Sequence, residues 1–126
     1  MASTTPADDE IRRILNDEDI ERLRKRFLCA LKDMDNNNTN NSYDFDQVYD
    51  RMGLGGYDLP LAMGRVIEDY LLSQGLIQID GERVRITETG RHRCDQFRHT
   101  DDQEWRETMR RMDRYARITN MEQDGS

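Results

Sequence analysis

Ile20, Leu23, Phe27, Ala30, Leu31 and Met34 recur at steps of three and four residues, the period of an amphipathic helix of about five turns. Asp17 stands ahead of this run with further acids behind it. It is the expected N-cap, where the helix dipole favours negative charge. Ile11, Ile14 and Leu15 suggest one short helical turn before it. The run stops in Asp35-Asn36-Asn37-Asn38-Thr39-Asn40-Asn41-Ser42, which holds no apolar residue and reads as a loop. A second helix is expected from Asp44, because Asp44 and Gln47 have capping-box spacing. Phe45, Val48, Tyr49 and Met52 mark its buried side, and Gly53 fits the position just past its end. After a turn over residues 53–58, Pro60 suits the first turn of a third helix, where its missing N–H costs nothing. Ala62, Met63, Val66, Ile67, Tyr70 and Leu71 give that helix its apolar face, and Gly75 ends it.

The period then changes to two. Ile77 and Ile79 alternate with Gln78, and Val84 and Ile86 alternate with Arg83 and Arg85. Asp80-Gly81 between the two runs predicts a β-hairpin, since such turns need residues that tolerate positive φ. Thr87 can cap a short helix with Cys94 and Phe97 on its inner side. Thr100 and Gln103 have capping-box spacing ahead of a polar helix over about residues 101–118. The domain plan is therefore an arm at 1–10, a domain at 11–100, a C-terminal helix at 101–119 and a loose tail at 120–126.

The order helix, helix, turn, helix and hairpin is that of a winged helix-turn-helix domain, and two stretches carry the resemblance. Tyr70-Leu71-Leu72-Ser73-Gln74-Gly75-Leu76-Ile77 is similar to that family's L-x-x-x-G-L-I exit from the recognition helix. Val84-Arg85-Ile86-Thr87-Glu88-Thr89-Gly90 resembles its I-x-L-T-x-x-G return from the wing, with Ile86 in place of the commoner Leu. The resemblance as a whole covers residues 20–98, well over half the chain. The fold class so implied is mostly α with a small β-hairpin, a winged helix-turn-helix with flanking N- and C-terminal helices. The function implied is that of a double-stranded DNA-binding protein, a small transcriptional regulator without catalysis. In this family the third helix typically enters the major groove and the wing meets the flanking backbone or minor groove. The resemblance therefore places Tyr57, Leu61 and Arg65 at the DNA, with Asp58, Gly64 and Glu68 beside them. Arg83 and Arg85 are the implied wing contacts.

Charge pulls the other way. The chain carries 26 acidic and 19 basic residues, for a net charge of −7. Over residues 57–99 six arginines face seven acids, so the surface is poorly supplied for neutralising phosphates. An acidic interaction module that docks a protein partner is the competing expectation. Leu, Ile, Val and Phe make up only 24 of the 126 residues, a level that suggests disorder; 23 of them, however, lie within residues 11–98, which points to a small core with polar ends. No apolar run reaches the length of a membrane span and the first residues lack a secretory h-region, so a cytoplasmic protein is expected.

Other chemistry finds little support. Cys29 and Cys94 are far apart in sequence and form no CxxC, which suggests neither a disulfide scaffold nor a zinc module. Asp33-x-Asp35-x-Asn37 with Asp44 in the twelfth place has an EF-hand rhythm, but Asn38 stands where the loop needs Gly and Asp44 where it needs Glu. His92, Cys94 and His99 lack a fourth ligand, so no metal is expected. No phosphate loop, nucleophile–base pair or cofactor motif stands out, and neither catalytic residues nor a cofactor are expected.

The C-terminal segment carries a narrow stripe, Trp105, Met109, Met112 and Ala116, at coiled-coil spacing among charged residues. The stripe either packs on the long first helix or pairs with another subunit. The resemblance to small winged-helix proteins favours the second, a homodimer with those four residues at its seam.

Overall fold

The first helix, α1 (Asp17–Met34), begins one residue earlier than the acidic run suggests, because Asn16 is its N-cap. The Asn16 side chain accepts from the Asp19 amide at 2.8 Å, and Asp19 Oδ2 accepts from the Asn16 amide at 3.2 Å. This capping box is built from Asn and Asp, with Asp17 left exposed in the first turn. The computed structural model describes residues 14–35, 41–54, 61–97 and 102–124, without the side chains of 61, 62, 116 and 118–124. Tyr57, the 55–60 turn with Pro60, and the Thr100 cap lie outside those residues.

After α1 the chain forms β1 (Tyr43–Asp44), α2 (Phe45–Arg51) and α3 (Leu61–Ser73). It continues through β2 (Ile77–Asp80), β3 (Arg83–Ile86), α4 (Glu88–Gln96) and α5 (Asp102–Asp124). The protein is mostly helical, with a small three-stranded antiparallel sheet. No helix among the described residues is long and apolar enough to cross a membrane.

The sheet has one strand more than the expected hairpin. Its order is β1-β3-β2, with Tyr43 opposite Val84 and Asp44 opposite Arg83. Two residues amid Asn, Ser and Asp carry no alternation, so β1 left no periodic signal. The turn is also shifted by one: Asp80 pairs with Arg83, so the loop is Gly81 and Glu82. Gly81 takes φ +63°, the left-handed conformation that glycine adopts without steric cost.

One core joins all the helices. Ile20, Leu23, Phe27, Leu28 and Leu31 of α1 meet Val48 of α2, Met63, Ile67 and Leu71 of α3, and Val84 and Ile86 of β3. Phe27 packs edge-on to Tyr49 with ring centroids 5.3 Å apart, which seats α2 against α1. Tyr70, expected on the apolar face of α3, is instead 39% exposed and lies beneath the Arg24 guanidinium, 3.9 Å from its ring centroid.

Helix α4 runs back along α1. Lys25 lies over the Phe97 ring, the Cys29 and Cys94 thiols are neighbours, Lys32 pairs with Asp95, and Arg91 pairs with the buried Asp35. Asp35, a residue of the EF-hand-like rhythm, is thus turned inward to Arg91 and to the Tyr43 hydroxyl.

Helix α5 continues to Asp124, beyond the expected end, so the tail expected from residue 120 is helical over its first five residues. Met112 and Tyr115 belong to the common core, which therefore does not stop at residue 100. Three residues of the stripe expected as a dimer seam lie against the core of their own chain. Met112 is fully buried, Trp105 and Met109 are partly buried against the core, and Arg26 stacks over the Trp105 ring at 4.7 Å. The apolar area that suggested a seam between subunits is thus covered in part within the chain. The side chain of Ala116 lies outside the description.

The fastening of α5 is polar as well as apolar. Asp19 is 0% exposed, and its carboxylate accepts from the Thr108 hydroxyl at 2.7 Å and from Arg111 Nη1 at 2.8 and 3.0 Å. Arg22 reaches the same group and also Glu104. A buried carboxylate is tolerated when its acceptor sites are filled in this way.

Candidate nucleic-acid interface

Helix α3 is held by its inner residues Met63, Ile67 and Leu71, one turn apart, and this spacing decides which residues face outward. Arg65 and Asp69, also one turn apart, are exposed and cancel in charge. Arg65 makes no hydrogen bond or ion pair among the described residues. The side chain of Leu61 is outside the description, and so is Tyr57.

Glu68 is not on the probing surface where the resemblance placed it. It turns towards α2 and accepts a hydrogen bond from the Tyr49 hydroxyl. Burial raises its proton affinity above that of an ordinary glutamate, although the Tyr49 bond works the other way. Burial and the neighbouring carboxylate push the Tyr49 phenol up as well, so it stays a donor. Gly64 leaves room for this arrangement, since a Cβ there would stand 3.1 Å from Glu68 Oε2.

The two hairpin arginines differ from each other. Along β3, Val84 and Ile86 face the core, which turns Arg83 and Arg85 to the outer face. Arg83 is tied down: its guanidinium donates to the Ser42 hydroxyl at 3.0 Å, to the Ser42 carbonyl at 2.7 Å and to Asp44 Oδ1 at 3.4 Å. Across the sheet it stands between Asp44 on β1 and Asp80 on β2, so its charge is locally matched. Arg85 sits opposite Gln78 and is half-exposed, with no hydrogen bond or ion pair among the described residues. Among the described residues this face therefore offers two uncommitted guanidinium groups, Arg65 and Arg85. Such groups suit bidentate contact with phosphate or a guanine edge.

The junction between helix and hairpin is tied by several hydrogen bonds. Gly75 takes φ +70° to reverse the chain from α3 into β2. The Thr87 hydroxyl donates to the Gly75 carbonyl, and the Thr87 amide donates to Leu76 O at 3.1 Å. Thr87 also caps α4, accepting from the Gly90 amide at 3.0 Å. One side chain thus couples the exit of α3 to the end of the β2–β3 hairpin.

Sequence reasoning missed two groupings, Asp19 with Thr108 and Arg111, and Cys29 with Cys94. Each depends on which helix faces lie together. Comparison with family models, curated proteins and solved structures finds no match to this chain.

Proposed function

We propose that the chain is a winged-helix protein that binds duplex DNA, with α3 as the recognition helix and the β2–β3 hairpin as the wing. The observation that carries this reading is the short strand β1. It lies between α1 and α2 and pairs with β3, so the connectivity is α1-β1-α2-α3-β2-β3 and the sheet order β1-β3-β2. That arrangement supports a winged helix more specifically than a lone hairpin does, and a transcriptional regulator is the function it suits. Arg65 and Arg85 supply the free cations, and Arg83 positions the wing by holding β1 to it. Fluorescence anisotropy of a labelled mixed-sequence duplex, titrated with the protein at low and physiological salt, tests this. Binding at low salt that weakens as salt rises is expected, through release of counterions from the phosphates. No retention of any duplex at low salt overturns it.

A second reading has its own observation. Tyr70 and Leu72 are 39% and 45% exposed on α3, and Arg83 is matched by acids, a surface suited to docking a protein rather than a polyanion. A protein that ignores DNA at low salt yet loses a protein partner on Leu72→Asp would fit this interaction module.

A further inference from the structure

The cross-helix contacts of α1 and α4 run in antiparallel register. Lys25 meets Phe97, Lys32 meets Asp95, and Asp35 meets Arg91. Cys29 and Cys94 lie between these fixed points, on the facing sides of the two helices. Their thiols are free, and they lie near enough for each to shift the titration of the other. They also differ in access, Cys94 being buried in the core and Cys29 lying partly exposed at its edge.

We propose that Cys29 and Cys94 form a redox-active dithiol, which a hydroperoxide converts into a disulfide joining α1 to α4, with Cys29 attacking first. Geometry assigns the order, because Cys29 is the more exposed of the two residues. Electrostatics agrees. The neighbouring Cys94 thiol, with lesser help from Lys32 and Arg26, lowers the pKa of Cys29 despite burial and Asp33. Cys94 is pushed up by its Cys29 neighbour and by burial, with Asp95 adding to the effect and Lys32 opposing it.

The chemistry balances with hydrogen peroxide as the oxidant. The Cys29 thiolate attacks one peroxide oxygen; the O–O bond breaks, and hydroxide leaves to be protonated to water. Cys29 is now a sulfenic acid. The Cys94 sulfur, giving up its proton, attacks the Cys29 sulfur. The S–S bond forms, the S–O bond breaks, and the departing hydroxide takes that proton to become the second water. Two thiols and one peroxide give one disulfide and two waters, and the two electrons lost by sulfur are gained by the peroxide.

The experiment treats the reduced, full chain with hydrogen peroxide under native conditions, followed by intact mass and peptide mapping without reductant. The expected product is a monomeric chain lighter by two hydrogens, with the Cys29 and Cys94 peptides linked. In Cys94→Ser the sulfenic acid at Cys29 has no resolving thiol, so dimedone should label it about tenfold more than in the wild type. In Cys29→Ser the buried Cys94 should lose thiols to peroxide about tenfold more slowly than the wild type does. Covalent dimers, oxygen added without an internal link, or no thiol loss in the wild type would each overturn the proposal. The wild-type mapping needs no variant to fold.

Discussion

The Thr87 hydroxyl donates to the Gly75 carbonyl oxygen at 2.7 Å, joining the end of the third helix to the start of the fourth across the whole wing. Beside this bond, Gly90 packs its Cα onto the same strand entry. A Cβ built at Gly90 would fall 2.2 Å from Leu76 O and 2.9 Å from Ile86 Cγ1. The closer neighbour is backbone inside a hydrogen-bonded turn and cannot swing away. Gly90→Ala should therefore destabilise by about 2–4 kcal/mol, as over-packing a rigid site does. Thr87→Ala should cost about 1–2 kcal/mol through the lost cap and the orphaned carbonyl. Urea denaturation followed by circular dichroism measures both; a Gly90→Ala variant as stable as the wild type would contradict the close approach.

These two positions show what was legible in the sequence. The Thr87 and Gly90 spacing and the Gly75-Leu76 exit are visible as motifs because local geometry demands those residue types. Helix periods were equally legible, since burial at three- and four-residue steps leaves a trace in the residues themselves. The two-residue strand β1 was not, because it needs only backbone pairing with β3 and sets no side-chain alternation. The destination of the Trp105 and Met112 stripe was also hidden. An apolar stripe states that it will be covered and not by what, and the partner surface on α1 doubles as the face that carries Asp19 and Arg22. Among the candidate DNA contacts, residue type suggested Arg83 and Arg85 equally, whereas cross-strand register separates the tied one from the free one.

The seam between α1 and α5 rests on a carboxylate with 0% exposure. Asp19→Ala removes the acceptor for Thr108 and Arg111 together and leaves the buried Thr108 hydroxyl without that partner. A loss of about 3 kcal/mol is expected, the usual cost of breaking a buried charge pair from one side. Limited trypsin digestion should show α5 cut earlier than the rest, as the helix loosens first. Truncation before Asp102 should also destabilise, because it uncovers the core that Met112 and Tyr115 close. A truncated chain with full stability would mean that α5 is an appendage.

Glu68 and Tyr49 predict a pH dependence. The folded chain holds the Glu68 proton more tightly than the unfolded chain, whose value lies near 4.5. Such a group contributes its full stability below the unfolded value and loses it as pH rises through the folded value. Glu68→Gln keeps an acceptor for the Tyr49 hydroxyl but cannot ionise. Its stability relative to the wild type should therefore improve from acid to neutral pH. Tyr49→Phe should do the opposite at neutral pH, costing about 1–2 kcal/mol, because it strips the charged carboxylate of its donor. Paired denaturation curves at acid and neutral pH decide this, and parallel pH profiles for wild type and Glu68→Gln would refute it.

Duplex binding carried by two uncommitted arginines has a numerical signature. Each phosphate neutralised contributes about 0.9 to the slope of log affinity against log salt, so Arg65 and Arg85 together predict a slope of about −2. Arg65→Ala and Arg85→Ala should each reduce the slope by about one, with a uniform loss of affinity across sequences where the contact is to phosphate. Arg83→Ala should leave the slope nearly unchanged, because Arg83 already spends its donors on Ser42 and Asp44. It should instead lower stability by detaching β1 from the wing. Asp44→Asn separates the two roles further, since it releases positive charge beside β3 and should strengthen binding at low salt. Anisotropy titrations at four or more salt concentrations measure these slopes. If Arg83→Ala flattens the salt dependence and Arg65→Ala does not, the wing and not α3 makes the contacts, and the assignment of the recognition helix fails.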